Sequence, residues 1–131
     1  YLAGYYKYKA GDQFTEGGKP VNGKRDICDI YAIMYETSES VPTLDGTNAF
    51  TSPNLISTAR INNAKETNEW TYFKLPFTTL PGKFIDKEKL MDGKYNIAIV
   101  FTSSLEGDHF NGAIGSTLLI DEAELIYHSE D

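Results

Sequence analysis

The chain has 131 residues, enough for one hydrophobic core and too few for two. Its net charge of −7, with twelve Lys and Arg scattered rather than clustered, repels phosphate backbones and argues against a nucleic-acid partner. A lone cysteine excludes an internal disulfide framework, and no apolar run approaches the ~20 residues needed to span a bilayer.

The first residue is Tyr1 rather than Met, and no signal-like run follows it. The expectation is therefore a single domain, 1–131, excised from a longer protein.

In chain order, Tyr1–Lys9 reads as a strand with Leu2, Gly4, Tyr6 and Tyr8 on one face and Ala3, Tyr5, Lys7 and Lys9 on the other. Ala10–Lys24 holds four glycines and Pro20 and reads as a loop, with one short strand around Gln13–Thr15. Asp26–Glu36 is the second strong strand. Cys28, Ile30, Ala32 and Met34 share one side, and Asp29, Tyr31, Ile33 and Tyr35 the other. Helix is the rival there, but Ile and Tyr favour a strand and no capping pattern precedes the run. Cys28 is expected to be a small buried hydrophobe.

Thr37–Pro53 is a long polar connection, with Ala49–Thr51 as a short strand candidate. Leu55–Ile61 is a strand. Glu69–Phe77 alternates well until Pro76, which marks its end or an edge position. Asp86–Leu90 can make one helical turn. Tyr95–Thr102 has one apolar face (Tyr95, Ile97, Ile99, Phe101) and a smaller, half-polar one, and Thr117–Tyr127 starts apolar on both faces, which predicts two central strands. Between them, Ser103–Ser116 admits two readings: a loop whose Glu106, Asp108, His109, Phe110 and Asn111 line a site, or a connection whose Phe110 and Ile114 tuck beneath a sheet. Short strands joined by Gly- and Pro-punctuated loops predict an all-β fold, a sandwich of two antiparallel sheets.

The segments GYYKYKAG, CDIYAIMYE, ARI, EWTYFKLPF and IAIVFTSSLEGDHFNGAIGSTLLIDEAELIY together resemble the carboxy-terminal domain of the putative carbohydrate metabolism domain family. Those proteins are secreted or outer-surface proteins of Bacteroides-like bacteria. The Trp70–Phe77 stretch, followed by a closing strand with Ile120–Asp121–Glu122, is also similar to jelly-roll carbohydrate-binding modules. The resemblance implies a jelly-roll sandwich joined to an amino-terminal domain, a carbohydrate role, and an extracellular, cell-surface or periplasmic location. Such modules often hold a structural Ca²⁺ between their chain ends, and Asp121 occupies the matching place. The usual acidic partners near the amino end are missing, since no acid precedes Asp12.

Nine Tyr and one Trp suit saccharide binding, because flat rings stack on the C–H face of a pyranose and Tyr tolerates a half-wet position. The expected patch is Tyr6, Tyr31, Tyr35, Arg60, Trp70 and Tyr72, with Arg60 offering its fork of donors to ring hydroxyls or a uronate, or else pairing with an acid. The same aromatics also read as sandwich core. Glycoside hydrolysis would need two converging carboxyls. Glu122 and Glu124 share one side of the last strand, a spacing more typical of a solvated stripe. Only His109 and His128 are present, too few to build a histidine metal cluster. The primary expectation is a non-catalytic module binding an oligo- or polysaccharide. The alternatives are a hydrolase-like domain with paired carboxylates and an adhesion-type interaction domain that pairs through a sheet edge.

Overall fold

A computed structural model describes residues 1–44 and 49–127; His128 and the side chain of Asp108 lie outside the described set. In chain order the elements are β1 (Leu2–Lys9), β2 (Phe14–Glu16), β3 (Lys19–Pro20), β4 (Asp29–Glu36), β5 (Leu55–Arg60), β6 (Thr67–Leu75), β7 (Thr78–Thr79), α1 (Lys87–Met91), β8 (Tyr95–Thr102), a 3-10 turn at Gly107–His109, β9 (Asn111–Ala113) and β10 (Thr117–Leu125). The fold is all-β, as the alternation predicts. Among the described residues its one α-helix is the expected single turn, with Asp86 as N-cap accepting from the Glu88 and Lys89 amides.

Two layers form the sandwich. The first sheet runs β10-β1-β6 and the second β7-β5-β4-β8, every pairing antiparallel. The chain passes from the first layer to the second between β1 and β4, returns between β5 and β6, crosses again into β7, and closes with β10 beside β1. That wrapping brings both ends of the chain together, as a jelly roll does. A third, small sheet, β3-β2-β9, accompanies the two expected ones. Its strands are two or three residues long, too short for periodicity to announce them.

Between the layers lie Leu2, Tyr6 and Tyr8 from β1, Ile30 and Ala32 from β4, Ala59 from β5, Phe73 and Leu75 from β6, and buried Cys28. Burial of these rings and branched chains supplies the main stabilisation, roughly 1.5–3 kcal/mol for each large side chain. The two Tyr hydroxyls are satisfied there. Tyr8 donates to Ser103 O at 2.7 Å, and Tyr6 Oη accepts from the Lys65 amide at 3.4 Å. Burial pushes the Tyr8 phenol up to about 12.

A second core lies on the opposite side of the second sheet. Tyr31, Ile33, Tyr35 and Leu55 are covered there by Leu44 and Ala49 from the 37–54 connection. This explains why β4 is apolar on both faces: one face meets the first sheet, and the other meets a folded connection. Ala49–Thr51 forms a turn rather than the short strand expected.

The structure corrects one further expectation. β8 pairs only with β4, and β10 only with β1, so both lie at the edges of their sheets rather than at their centres. On β8 the outward set is accounted for by Ala98 and Val100, which pack against the second core. Its inward set, Ile97, Ile99 and Phe101, stays about two-fifths exposed, at 40%, 40% and 38%.

Candidate functional site

The expected six-residue patch is divided among three surfaces. Tyr6 is between the layers, its ring edge-on to Phe73 at 6.1 Å. Tyr35 is buried in the second core, its hydroxyl 3.4 Å from Thr43 Oγ1. Trp70 and Tyr72 are exposed on the outer face of the first sheet, where Tyr72 meets Tyr5 at 5.2 Å with the rings tilted by 57°. The Lys7 ammonium lies 4.8 Å from the Trp70 ring centre, so that face already holds a cation. Of the six, Tyr31 and Arg60 alone meet, as cross-strand partners on β4 and β5.

Around that pair lies an open pocket of about 490 Å³. Its floor comes from the second sheet: Asp29 and Tyr31 on β4, Arg60 on β5, and Val100 and Thr102 on β8. Alternation along three paired strands places these side chains on one face. One wall is Phe50 from the 37–54 connection. The other is Ser104, Leu105, Glu106 and His109 from the loop after β8.

The polar centre is a charge-assisted fork. Arg60 Nη2 donates to Asp29 Oδ2 at 2.6 Å and Nε to Oδ1 at 3.2 Å, an arrangement that fixes both planes. Asp29 is buried, while Arg60 remains partly exposed. The guanidinium also lies over two rings, 4.3 Å from the Phe50 centroid and 5.6 Å from that of Tyr31, and those rings meet edge-to-face at 4.8 Å. Arg60 is therefore the salt-bridge partner allowed for in the sequence, and its fork is already engaged by Asp29.

The loop wall is held by Asp26. This carboxylate is buried and gathers four donors: Ser104 Oγ at 2.5 Å, Ser116 Oγ at 2.6 Å and the Ala113 amide at 3.0 Å on Oδ2, with the Ile27 amide at 3.0 Å on Oδ1. Ser116 Oγ in turn accepts from the Gly11 amide. The Leu105 amide donates to Ile27 O at 2.7 Å. These bonds fasten 103–116 to the strand entry at 26–28 and leave Glu106 and His109 facing the pocket. Of the two readings of this loop, the tucked one fails: Phe110 and Ile114 are 82% and 95% exposed. Sequence reasoning marked Glu106 and His109 as possible lining groups but missed Phe50, which no local pattern distinguishes from its polar neighbours.

Asp121 lies on β10 opposite Tyr5, exposed, with Oδ1 accepting from the Glu122 amide at 2.9 Å. Among the described residues no three His, Cys, Asp or Glu side chains gather closely enough to hold a metal ion. Glu122 takes a positive φ of 52° where the β1–β10 register shifts near Gly4. The regular alternation that would set Glu122 and Glu124 on one side is broken at that bulge.

A family described as "Putative carbohydrate metabolism domain" matches residues 1–126. The chain belongs to that family. It is also similar to a crystal structure described as a putative glycoside hydrolase from Bacteroides thetaiotaomicron, at 88% identity and a TM-score of 0.95, over 98% of this chain and 38% of that one. A second, described the same way and from Bacteroides vulgatus, shares 47% identity and a TM-score of 0.87 over 95% of this chain and 50% of that one. This member of the family thus spans half or less of the length of those relatives. No curated protein matches it. Among the described residues no helix is long and apolar enough to cross a membrane.

Proposed function

We propose that this chain is a non-catalytic glycan-binding module of an extracellular, cell-surface or periplasmic protein, and that the Arg60–Asp29 pocket receives the saccharide. The observation that carries the reading is the pairing of a half-exposed aromatic wall, Phe50 over Arg60, with polar groups of fixed orientation in one open concavity. A pyranose needs both: an apolar face for its C–H bonds and rigid donors and acceptors for its hydroxyls. The family match supplies the carbohydrate context.

Pocket chemistry favours a neutral sugar. The Arg60 charge is already matched by Asp29, and Glu106 adds a carboxylate to the wall, so a uronate would meet a neutralised cation and a like charge nearby. Hydrolysis, the activity in the names of the two relatives, requires one carboxyl that holds a proton and a second that attacks or activates water. Here Asp29 gives both oxygens to Arg60, leaving Glu106 as the remaining carboxylate among the described lining side chains.

Affinity electrophoresis against neutral and uronate-containing polysaccharides tests this. Retardation is expected in neutral gels, weakened about tenfold or more by Phe50→Ala and by Glu106→Gln, a loss of roughly 1.4 kcal/mol or more, and unchanged by Trp70→Ala. Loss of binding on Trp70→Ala alone would move the site to the outer face of the first sheet. Release of reducing ends that stops with Glu106→Gln would replace binding by hydrolysis.

A further inference from the structure

We propose that the inward face of β8, with the groove that continues it, is the seat of another part of a longer polypeptide, the part that lies outside the matched stretch in the two Bacteroides relatives. Ile97, Ile99 and Phe101 follow one another along this face and remain about two-fifths exposed. From Ile97 the surface runs into a groove of about 560 Å³ between the open ends of the two sheets, lined by Met34, Phe77, Ile85, Leu90 and Leu125. Among the described residues no Asp, Glu, Lys or Arg side chain lines it.

Exposed edge strands are normally guarded by a charge, a proline or a bulge. β8 carries none: its eight residues, YNIAIVFT, are uncharged, and its register with β4 runs unbroken from Tyr95 to Thr102. An apolar strip continuous with an apolar groove is the kind of surface that a partner covers. The relatives indicate which partner. This chain accounts for 38% of one and 50% of the other, so at least as much polypeptide again is tethered to the matched stretch there. A tethered segment is present at an effective concentration of about millimolar, far above that of a second copy at ordinary protein concentrations.

Thiol labelling tests the assignment. Cys28 is buried and its thiol is pushed up to about 11 by burial, so the native background is slow. Ile99→Cys is made in the chain alone and in a polypeptide where this chain replaces the matched stretch of the B. thetaiotaomicron relative. Leu119→Cys, exposed on the outer face of the first sheet, serves as the control. The expected result is rapid maleimide labelling of Ile99→Cys in the chain alone and labelling at least roughly tenfold slower in the longer polypeptide, with Leu119→Cys labelled equally in both. Phe101→Cys repeats the measurement if Ile99→Cys lowers the melting temperature. Equal labelling at both inward positions in the two contexts overturns the proposal. So does protection in the chain alone that deepens with its concentration, which would assign the face to a second copy.

Discussion

Arg60 illustrates how far a single residue can be interpreted without its neighbours. Its position in ARI suggests a cation at a strand end, available either to a ligand or to an acid. The acid that takes it, Asp29, is 31 residues away in sequence. A pair within one helical turn would have been visible by spacing; a cross-strand pair is not. Glu66 is a similar case. Arg25 grips it with two hydrogen bonds, and the Ala10 amide adds a third. The Arg25 hydrogen bond first and the amide second hold its carboxyl below the ordinary 4.5. A carboxylate held low in the fold adds stability that is fully present above its unfolded value and is lost as pH falls through the depressed folded value. The pair is solvent-exposed, so the contribution is small, a few tenths of a kcal/mol. Glu66→Gln is therefore expected to flatten the fall in the urea midpoint between neutral pH and about pH 3 slightly, as followed by tryptophan fluorescence at each pH.

At the scale of the element, the strands with strong alternation were legible. Tyr95–Thr102 has the bounds expected of it, and β1, β4, β5, β6 and β10 lie within the segments predicted or a residue or two beyond. What alternation could not decide was which apolar face would be covered. β4 is apolar on both sides and β8 on one side and half of the other, yet β4 is central and β8 is an edge, because β4 pairs with both β5 and β8 whereas β8 pairs with β4 alone. The loop of 103–116 owes its place to one buried carboxylate. Replacing Asp26 by Asn puts an amide among three donors on Oδ2 and leaves at least one of them unsatisfied, a cost of about 1–3 kcal/mol. Native-state hydrogen exchange should then show the Leu105 and Ala113 amides opening faster, with amides of the β4–β5 ladder changed only by the global loss. Saccharide affinity should fall as well, since Glu106 and His109 depend on the same anchor.

For the whole molecule, the governing fact is that β1 is flanked by β6 and β10, joining the start of the chain to its end. Contacts so distant in sequence give nothing until the loop between them has closed. A chain ending at residue 116 would lose β10 and with it the cover of Leu118, Ile120 and Leu125 over the main core. Such a truncation should show no cooperative thermal transition by near-ultraviolet circular dichroism, whereas the 131-residue chain is expected to melt in one step. Composition, alternation and turn residues were enough to determine an all-β sandwich, its principal strands and its single helical turn, because each of these depends on neighbours a few residues apart. Only the tertiary structure decided that the predicted aromatics separate onto three surfaces, that Phe50 and the 103–109 loop complete a pocket with Tyr31 and Arg60, and that β8 is left with an uncovered apolar face. Those outcomes depend on which sheet faces which connection, and that geometry is set by pairings between residues tens of positions apart, for which a single sequence carries no periodic signal.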